Sequence, residues 1–336
     1  MTKIAILGSG SWGTALSVIL GRSPRKHDIS LWSRDPELAA TLSRDRENKT
    51  YLPACAIPEN VNITANIAAA LRDSLIVISA IPSAHVRKIF APAHEHLVSN
   101  SIVVSATKGL EPETHLRMSQ VLIELISKKF PPQVAVLSGP SFAAEAARGE
   151  PTAVVVATQS ASLAAHLQDE FAAPNFRLYT NDDVLGVELA GAMKNVIAIA
   201  AGACQGLGLG SNAVAALVTR GLAEIARLAA ALGAKPETMS GLAGLGDLVL
   251  TCTGNLSRNR QVGFELGSGR SLTEILANMR MVAEGVGTTA PLLALAREHH
   301  VDLPITTQVD AILHHSLPPR DAIRAIMDRP QKPESA

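Results

Sequence analysis

Lys194 is the residue of this sequence that is best suited by its surroundings to move a proton. It lies in an alanine-rich segment, residues 187–205, whose pattern predicts a helix. The residues three and four positions away on either side are small or apolar, so none can pair with its ammonium group. Apolar surroundings lower the pKa of a lysine toward neutrality, where it can donate or accept a proton. A lysine that only extends from the helix to water fits the same pattern.

Two further clusters could serve such a reaction. Asp247 lies among glycine and apolar residues, where an exposed acid is unexpected, and could be the charge partner of Lys194. Ser257 follows a turn-like segment and could cap a helix, with Arg258 and Asn259 directed at an anion. A guanidinium group suits phosphate or carboxylate. An ordinary capped helix with surface arginines fits these residues as well.

A glycine motif near the N-terminus predicts dinucleotide binding. Gly8, Gly10 and Gly13 follow the apolar segment 3–7 and match G-x-G-x-x-G. The first glycine allows a tight turn, the second lets a pyrophosphate approach, and the third lets helix and strand pack closely. A helix that begins near Ser11 would direct free N–H groups at that phosphate.

The residues after the second predicted strand, 28–32, bear on the choice of cofactor. An acid at this position would bind the ribose hydroxyls of NAD. Here Ser33 and Arg34 come first, and Arg34 could hold a 2′-phosphate. Asp35 precedes Pro36, which suggests that it caps the next helix instead. We therefore expect activity with both NAD and NADP and a preference for NADPH.

The elements that must position these residues differ between the two halves of the chain. Apolar, β-branched segments alternate with helical ones in the first half, which predicts a Rossmann-like parallel sheet with helices on both faces. Strands are predicted at 3–7, 28–32, 74–81, 101–107, 133–139, 152–158 and 176–180. After about residue 185, long alanine-rich helical segments replace them. We expect a dinucleotide-binding domain over 1–184 and an all-helical substrate-binding domain over 185–336.

Lys108 and Ser141 each come just after a predicted strand. Open α/β sheets bind ligands outside the carboxyl ends of their strands, so both residues are expected at the cleft. A solvated loop lysine at position 108 fits the sequence equally well.

Composition limits the partners of this chain of 336 residues. Thirty basic residues balance thirty acidic ones and aromatic residues make up only 3%, so no nucleic-acid partner is expected. We expect no signal peptide and no membrane-spanning segment, because no apolar segment approaches the length of a span. The longest, 187–204, contains Glu188 and Lys194. Three scattered cysteines indicate reduced thiols in the cytoplasm. The histidines show no metal-ligand spacing, so no metal is expected.

Six segments, in order along nearly the whole chain, resemble bacterial-type NAD(P)-dependent glycerol-3-phosphate dehydrogenases. They are GSGSWGTAL, ATKGLE, SGPSFAAE, VELAGAMKNVIAIAAG, TRGLAE and GLAGLGDLVLTCTGNLSRNR. Many dehydrogenases share the first segment, whereas the set is highly specific. The resemblance implies reversible reduction of dihydroxyacetone phosphate to sn-glycerol 3-phosphate for phospholipid synthesis, by a homodimer.

The resemblance also implies roles for individual residues. Lys194 would be the catalytic acid/base, and Lys108 would contact both substrate and cofactor. The substrate-binding residues would be Lys108, Gly139, Ser141, Lys194, Asp247, Ser257, Arg258 and Asn259. Beside Gly8, Gly10 and Gly13, the cofactor-binding residues would be Ser11, Trp12, Arg34, Lys108, Ala143, Arg258, Val282 and Glu284. The family pattern has valine before Glu-Gly, where this chain has Ala283. Either Ala283 replaces that valine, or the alignment with the family pattern is shifted by one residue.

Two other functions fit parts of this pattern. A two-domain reductase of another hydroxy acid would share both halves and the lysine, but would not need an arginine that holds a phosphate. A non-catalytic NAD(P)H sensor would keep the glycine motif, but would have no reason to keep Lys194, Asp247 and Arg258 together.

Overall fold

An eight-stranded sheet forms the centre of the N-terminal half in the computed structural model, which describes residues 1–279, 281–331 and 333–334. The strands of the described chain are β1 (Lys3–Leu7), β2 (Asp28–Trp32), β3 (Glu47–Asn48), β4 (Leu52–Ala56), β5 (Val61–Thr64), β6 (Ile76–Ser79), β7 (Ile102–Ser105), β8 (Gln133–Ser138), β9 (Thr152–Ala157) and β10 (Phe176–Asn181). The sheet order is β10-β9-β8-β7-β6-β1-β2-β5, and β3 pairs with β4 in a separate ribbon. All seven predicted strands are present.

The central strands are buried on both faces, as their continuous apolar sequences require. In β1, Ile4 and Ile6 belong to the core on one face, and Ala5 and Leu7 belong to the core on the other face. Strands β3, β4 and β5 were not predicted. They lie at or beyond the sheet edge, where proline, asparagine and exposed side chains replace the apolar pattern.

Strand β9 differs from the predicted parallel sheet. It runs antiparallel to β8, with Val136 opposite Ala157 and Ser138 opposite Val155, while the other neighbouring pairs of the described sheet are parallel. The connection, residues 139–151, contains only a six-residue helix and does not cross back along the sheet. The chain therefore turns back at the carboxyl end of β8.

The helices of the first half cover the sheet, and those of the described second half pack on one another. The first group is α1 (Ser11–Gly21), α2 (Pro36–Asp45), α3 (Ile67–Leu71), α4 (Val86–Ala93), α5 (Met118–Ile126), α6 (Ala143–Arg148) and α7 (Ala161–Glu170). The second group is α8 (Val184–Gly206), α9 (Ser211–Ala231), α10 (Pro236–Ser240), α11 (Asp247–Thr253), α12 (Arg258–Gly267), α13 (Leu272–Asn278), α14 (Glu284–Glu298), α15 (Pro304–His314) and α16 (Pro319–Met327). A π-helical turn, Leu242–Gly246, runs directly into α11.

Helix α8 is the central helix of this second group. By length and composition it is apolar enough to cross a membrane, so the expectation that no segment reaches that length is wrong. However, 83% of its most apolar window is buried inside the protein. This burial is what the core helix of a helical bundle requires.

Helices α8 and α12 touch through their backbones. Glycines on both helices make the contact possible, and they are Gly202, Gly206, Gly263 and Gly267. A Cβ atom on Gly202 would lie 1.9 Å from the carbonyl oxygen of Arg260, and one on Gly263 would lie 1.9 Å from that of Ile199. No side chain fits at such distances, so these glycines fix how closely α12 approaches α8.

Candidate active site

Asp247 lies at the centre of a buried cluster between the sheet and the helices. It is 1% exposed and begins α11 directly after the π-helical turn, a distortion that is frequent at functional sites. One carboxylate oxygen, Oδ1, accepts a hydrogen bond from Nζ of Lys194 at 2.5 Å, and Oδ2 accepts one from Nζ of Lys108 at 2.6 Å. Thr251, one turn along α11, lies 2.8 Å from Nζ of Lys194.

The electrostatics of this cluster act most strongly on Lys194. Burial lowers the pKa of its ammonium group, the charge of Asp247 opposes the change, and the charge of Lys108 adds to it, which leaves the pKa at about 7. Burial alone would raise the pKa of Asp247, but the two lysines outweigh it and keep that pKa below its ordinary value. Asp247 therefore stays ionised while Lys194 can exchange a proton near neutral pH.

The segment after β7 brings Lys108 to this carboxylate. The aliphatic chain of Lys108 lies across α8 at Gly191, where a Cβ atom would be 3.6 Å from Cγ of the lysine. Its Nζ also donates to the carbonyl oxygen of Gly139, at 3.0 Å. Gly139 directly follows β8 and has φ of +125°, and Oγ of Ser141 donates to the same carbonyl at 3.0 Å. The structure thus brings together these predicted residues from both halves of the chain.

The N-terminus of α12 presents an arginine and an asparagine beside this cluster. Ser257 caps the helix by accepting from the backbone N–H of Arg260, at 3.2 Å. Asn259 donates to Oδ1 of Asn195 on α8 at 2.9 Å and accepts from the N–H of Gly285 at 2.9 Å. The start of α12 is thus bonded to Asn195, the residue that directly follows Lys194 on α8.

Arg258 and Arg260 differ in what they bind. Arg260 donates to Gly254 and Asn255, so it supports the turn before α12. Arg258 is exposed and makes no hydrogen bond or ion pair with any residue that the structure describes. Its guanidinium group is therefore the one available to an anionic ligand.

Glu284 begins α14 and joins this region to the sheet. Its Oε2 accepts from Oγ of Ser83 at 2.7 Å, and Ser83 follows β6. Burial raises the pKa of Glu284, while Ser83 and the charge of Arg258 oppose that change. A Cβ atom on Gly109, next to Lys108, would lie 3.5 Å from the same carboxylate oxygen.

The glycine motif has the geometry that a pyrophosphate needs. Gly8 has φ of +115° and donates its N–H to the carbonyl of Trp32 at 3.1 Å. A Cβ atom on Gly13 would lie 1.8 Å from the carbonyl oxygen of Gly8. Around a Cβ atom on Gly10 there is open space, since no described atom beyond its chain neighbours lies within 4 Å. Helix α1 begins at Ser11, and no described side chain caps it. These residues therefore fit a dinucleotide phosphate at open N–H groups.

The end of β2 is arranged as the sequence suggests. Asp35 accepts from the N–H groups of Glu37 and Leu38 and caps α2, which confirms its predicted role. Ser33 is buried against Ser9, at 2.8 Å between hydroxyl oxygens. Arg34 is exposed beside the glycine motif.

Trp12, Ala143 and Val282 are the remaining predicted cofactor residues. Trp12 and Ala143 are partly buried and pack against the core on one face of the sheet. Oγ of Ser11 donates to Sδ of Met281 at 3.1 Å, so the segment before α14 reaches the glycine motif. Val282 is 50% exposed, and the neighbouring Ala283, at the departure from the family pattern, is buried.

Two polar residues of this region, Thr251 and Ser83, were not predicted from the sequence. Thr251 follows Asp247 by four positions on a helix, so the spacing could have revealed it. Ser83 carries no comparable signal, because its contact with Glu284 depends on the approach of two segments that are distant in the chain.

Comparison with known proteins identifies the family. The family model described as NAD-dependent glycerol-3-phosphate dehydrogenase N-terminus matches residues 3–164, and the model described as its C-terminus matches residues 183–324. A glycerol-3-phosphate dehydrogenase (NAD(P)+) of Koribacter versatilis is 53% identical over 335 residues, which cover 99% of this chain and 99% of that protein. The chain belongs to the NAD(P)-dependent glycerol-3-phosphate dehydrogenases.

Further relatives agree over the full length. A glycerol-3-phosphate dehydrogenase (NAD(P)+) of Acidobacterium capsulatum is 50% identical over 342 residues, which cover 99% of this chain and 100% of that protein. The crystal structure of glycerol-3-phosphate dehydrogenase (gpsA) from Coxiella burnetii has a TM-score of 0.93 and 38% identity, and covers 98% of this chain and 99% of its own. These findings confirm the family resemblance and the α/β fold with an all-helical C-terminal region.

Proposed function

We propose that this glycerol-3-phosphate dehydrogenase reversibly reduces dihydroxyacetone phosphate to sn-glycerol 3-phosphate, with Lys194 as the proton donor and acceptor. The observation that carries the proposal is the buried contact of Lys194 and Lys108 with opposite oxygens of Asp247. Family membership favours this function over a reductase of another hydroxy acid or a non-catalytic sensor. The product would serve phospholipid synthesis.

The proton step follows from the electrostatics of Lys194. As the carbonyl of the substrate is reduced, negative charge develops on its oxygen, and the charged form of Lys194 stabilises that oxygen and donates a proton to it. In the reverse direction, neutral Lys194 accepts the hydroxyl proton. Asp247 holds Nζ in place, and it favours the charged form against the cost of burial.

The phosphate of the substrate would bind at the start of α12. Arg258 supplies a charged fork, with Ser257 and Asn259 beside it. Binding energy from this distant group would place the carbonyl at Lys194. Gly139 and Ser141 would line the site on the side of the sheet.

The cofactor would lie along the carboxyl edge of the sheet, and when bound it supplies or accepts the hydride. Gly8, Gly10, Gly13 and Ser11 would hold its pyrophosphate, with Arg34 at the 2′-phosphate of NADPH, the preferred cofactor. The other residues proposed to contact it are Trp12, Lys108, Ala143, Arg258, Val282 and Glu284.

We propose a division into two domains and a dimeric assembly for the whole molecule. The dinucleotide-binding domain would span residues 1–184, and the substrate-binding domain would span residues 185–336. The enzyme would be a cytoplasmic homodimer.

The test is a substrate panel assayed at the nicotinamide absorbance band with NADH and with NADPH. Dihydroxyacetone phosphate should be reduced by both cofactors, and 2-hydroxy or 3-hydroxy acids should not be oxidised. The matched comparison is dihydroxyacetone, which lacks only the phosphate. Reduction of both ketones with equal kcat/KM would contradict the proposed phosphate site.

A further inference from the structure

Glu188 is a buried carboxylate that the proposed mechanism does not use. It lies on α8 and its side chain is 4% exposed. Three donors from the other half of the chain bind it: the N–H of Ser119 at 2.7 Å, Oγ of Ser119 at 2.6 Å, and Nη1 of Arg117 at 2.5 Å. These donors stand at the N-terminus of α5, where the helix dipole adds to the attraction for a negative charge.

The segment between Lys108 and Ser119 forms a closed loop. Leu110 and Arg117 pair as a β-bridge, and the N–H of Glu111 donates to the carbonyl of Leu116 at 2.9 Å. Leu110 is 1% exposed and belongs to the core around α8 rather than to the core of the sheet. The loop is therefore attached to α8 both by an apolar side chain and, through Arg117 and Ser119, by Glu188.

Glu188, Gly191 and Lys194 are spaced three residues apart on α8, so they form one row of positions along the helix. Glu188 holds the end of the loop, Gly191 leaves room for the aliphatic chain of Lys108, and Lys194 meets the carboxylate that Lys108 also binds. This row of α8 thus fixes both lysines relative to Asp247.

We propose that Glu188 is a positioning residue that holds the Lys108 loop on α8 and thereby keeps the ammonium group of Lys108 on Asp247. The inference rests on the proposed role of Lys194, because its consequence is read out there. Lys108 reaches Asp247 from the loop that Glu188 holds. Release of this loop would therefore leave Lys194 as the principal cation on that carboxylate.

The consequence is a change in the pH dependence of turnover. The groups that set the pKa of Lys194 are Asp247, which raises it, and burial and Lys108, which lower it. Cys252 on α11 also faces the pair, and burial raises the pKa of its thiol to about 12, so it stays neutral. Withdrawal of Lys108 therefore raises the pKa of Lys194 toward the value of about 10.4 for an exposed lysine.

The experiment measures the pH profile of kcat for dihydroxyacetone phosphate reduction with saturating NADPH. Glu188→Gln should lower kcat by roughly 10- to 10²-fold, since small displacements of reacting groups have effects of this size. The apparent pKa of its profile should rise above that of the wild type. Ser119→Ala removes one of the three donors and should give a smaller rise in the same direction.

Glu224→Gln is the matched control. Glu224 is also a buried carboxylate that accepts from a helix N-terminus, but its donors are Ile305 and Thr306 of α15, and it has no bond to the Lys108 loop. This variant should change Tm and leave the kinetic pKa unchanged. A purely structural role for Glu188 predicts the same behaviour for Glu188→Gln, and that result would overturn the proposal.

Ser119→Ala decides the question if Glu188→Gln does not fold: a kinetic pKa equal to that of the wild type would overturn the proposal. A wild-type profile without a pKa near 7, or full turnover in Lys194→Met, would overturn the proposed function itself. The two failures are therefore distinguishable.

Discussion

Lys108 and Lys194 bind opposite oxygens of one carboxylate, at 2.6 Å and 2.5 Å. Two ammonium groups and one carboxylate leave a net positive charge in a buried site, and loss of one proton from a lysine would remove that net charge. The side chain of Lys194 is 7% exposed and that of Lys108 is 18% exposed, so Lys194 pays the larger cost of burial. This asymmetry explains why Lys194 is the lysine suited to exchange a proton.

Lys194→Met should fold and bind cofactor but lose turnover. General acid–base groups contribute roughly 10²–10⁴-fold, so kcat should fall by at least about 10²-fold. Steady-state kinetics and cofactor fluorescence titration measure the two effects. Lys88→Met, at an exposed lysine of α4, is the control and should keep wild-type kinetics. A Lys194→Met enzyme with more than about a tenth of wild-type kcat would show that another group donates the proton.

The two directions of the reaction should respond oppositely to pH. Reduction needs the charged form of Lys194, so its kcat should decrease as pH rises through about 7, while oxidation needs the neutral form and should decrease as pH falls through the same value. Profiles of kcat for both directions in one buffer series test this. Two profiles that change in the same direction would be inconsistent with a single lysine in both roles.

Arg258→Ala should impair use of the phosphorylated substrate. A lost charge-assisted hydrogen bond costs about 1.5–3 kcal/mol, or roughly 10- to 150-fold in kcat/KM. Arg260→Ala is the control on the same helix. It loses bonds to Gly254 and Asn255, so Tm should fall while the preference for dihydroxyacetone phosphate over dihydroxyacetone is kept. An unchanged kcat/KM in Arg258→Ala would remove this residue from the site.

Arg34→Ala should reduce kcat/KM with NADPH more than with NADH. Arg34 is exposed at the end of β2, and Asp35 is occupied in capping α2, so the guanidinium is the charged group there that is suited to a 2′-phosphate. Arg44→Ala, at an exposed arginine of α2, should leave both values unchanged. Equal losses with the two cofactors, or a wild-type preference for NADH, would disprove this assignment.

Glu224 should make folding less favourable as pH rises from about 4.5 to 7. Burial raises its pKa from 4.5 to about 7, so in this interval the folded state holds a proton that the unfolded state has released. The full effect is about 3 kcal/mol at most. Glu224→Gln lacks it, so Tm of the variant relative to wild type should rise over this interval. The exposed Glu298→Gln should show no such trend.

The sequence predicted well where local pattern decides the structure. The β-branched segments gave the main strands, and the lack of a partner for Lys194 on its own helix indicated a charge from elsewhere, which the structure shows to be Asp247. Asp35 could be identified as a cap because Pro36 follows it. The cap is an interaction within a few residues. The charge partner was inferred because no local partner for Lys194 exists.

Features that depend on distant segments were not predictable in this way. The direction of β9 depends on how residues 139–151 turn at the sheet edge, and the contact of Ser83 with Glu284 joins positions 201 residues apart. Glu188 could be predicted only as a charge in an apolar segment, because its partners, Arg117 and Ser119, lie at the N-terminus of α5. Such contacts are set by packing, and a pattern in one segment does not contain them.

The backbone contact between α8 and α12 also limits how the specificity of the enzyme can be redesigned. Gly202 and Gly263 place the helix of Lys194 at a fixed separation from the helix of Arg258. Exchange of side chains in the site would leave that separation unchanged. A substrate with a longer spacer between carbonyl and phosphate therefore demands substitutions at these glycines, outside the site, before any new binding group can be effective.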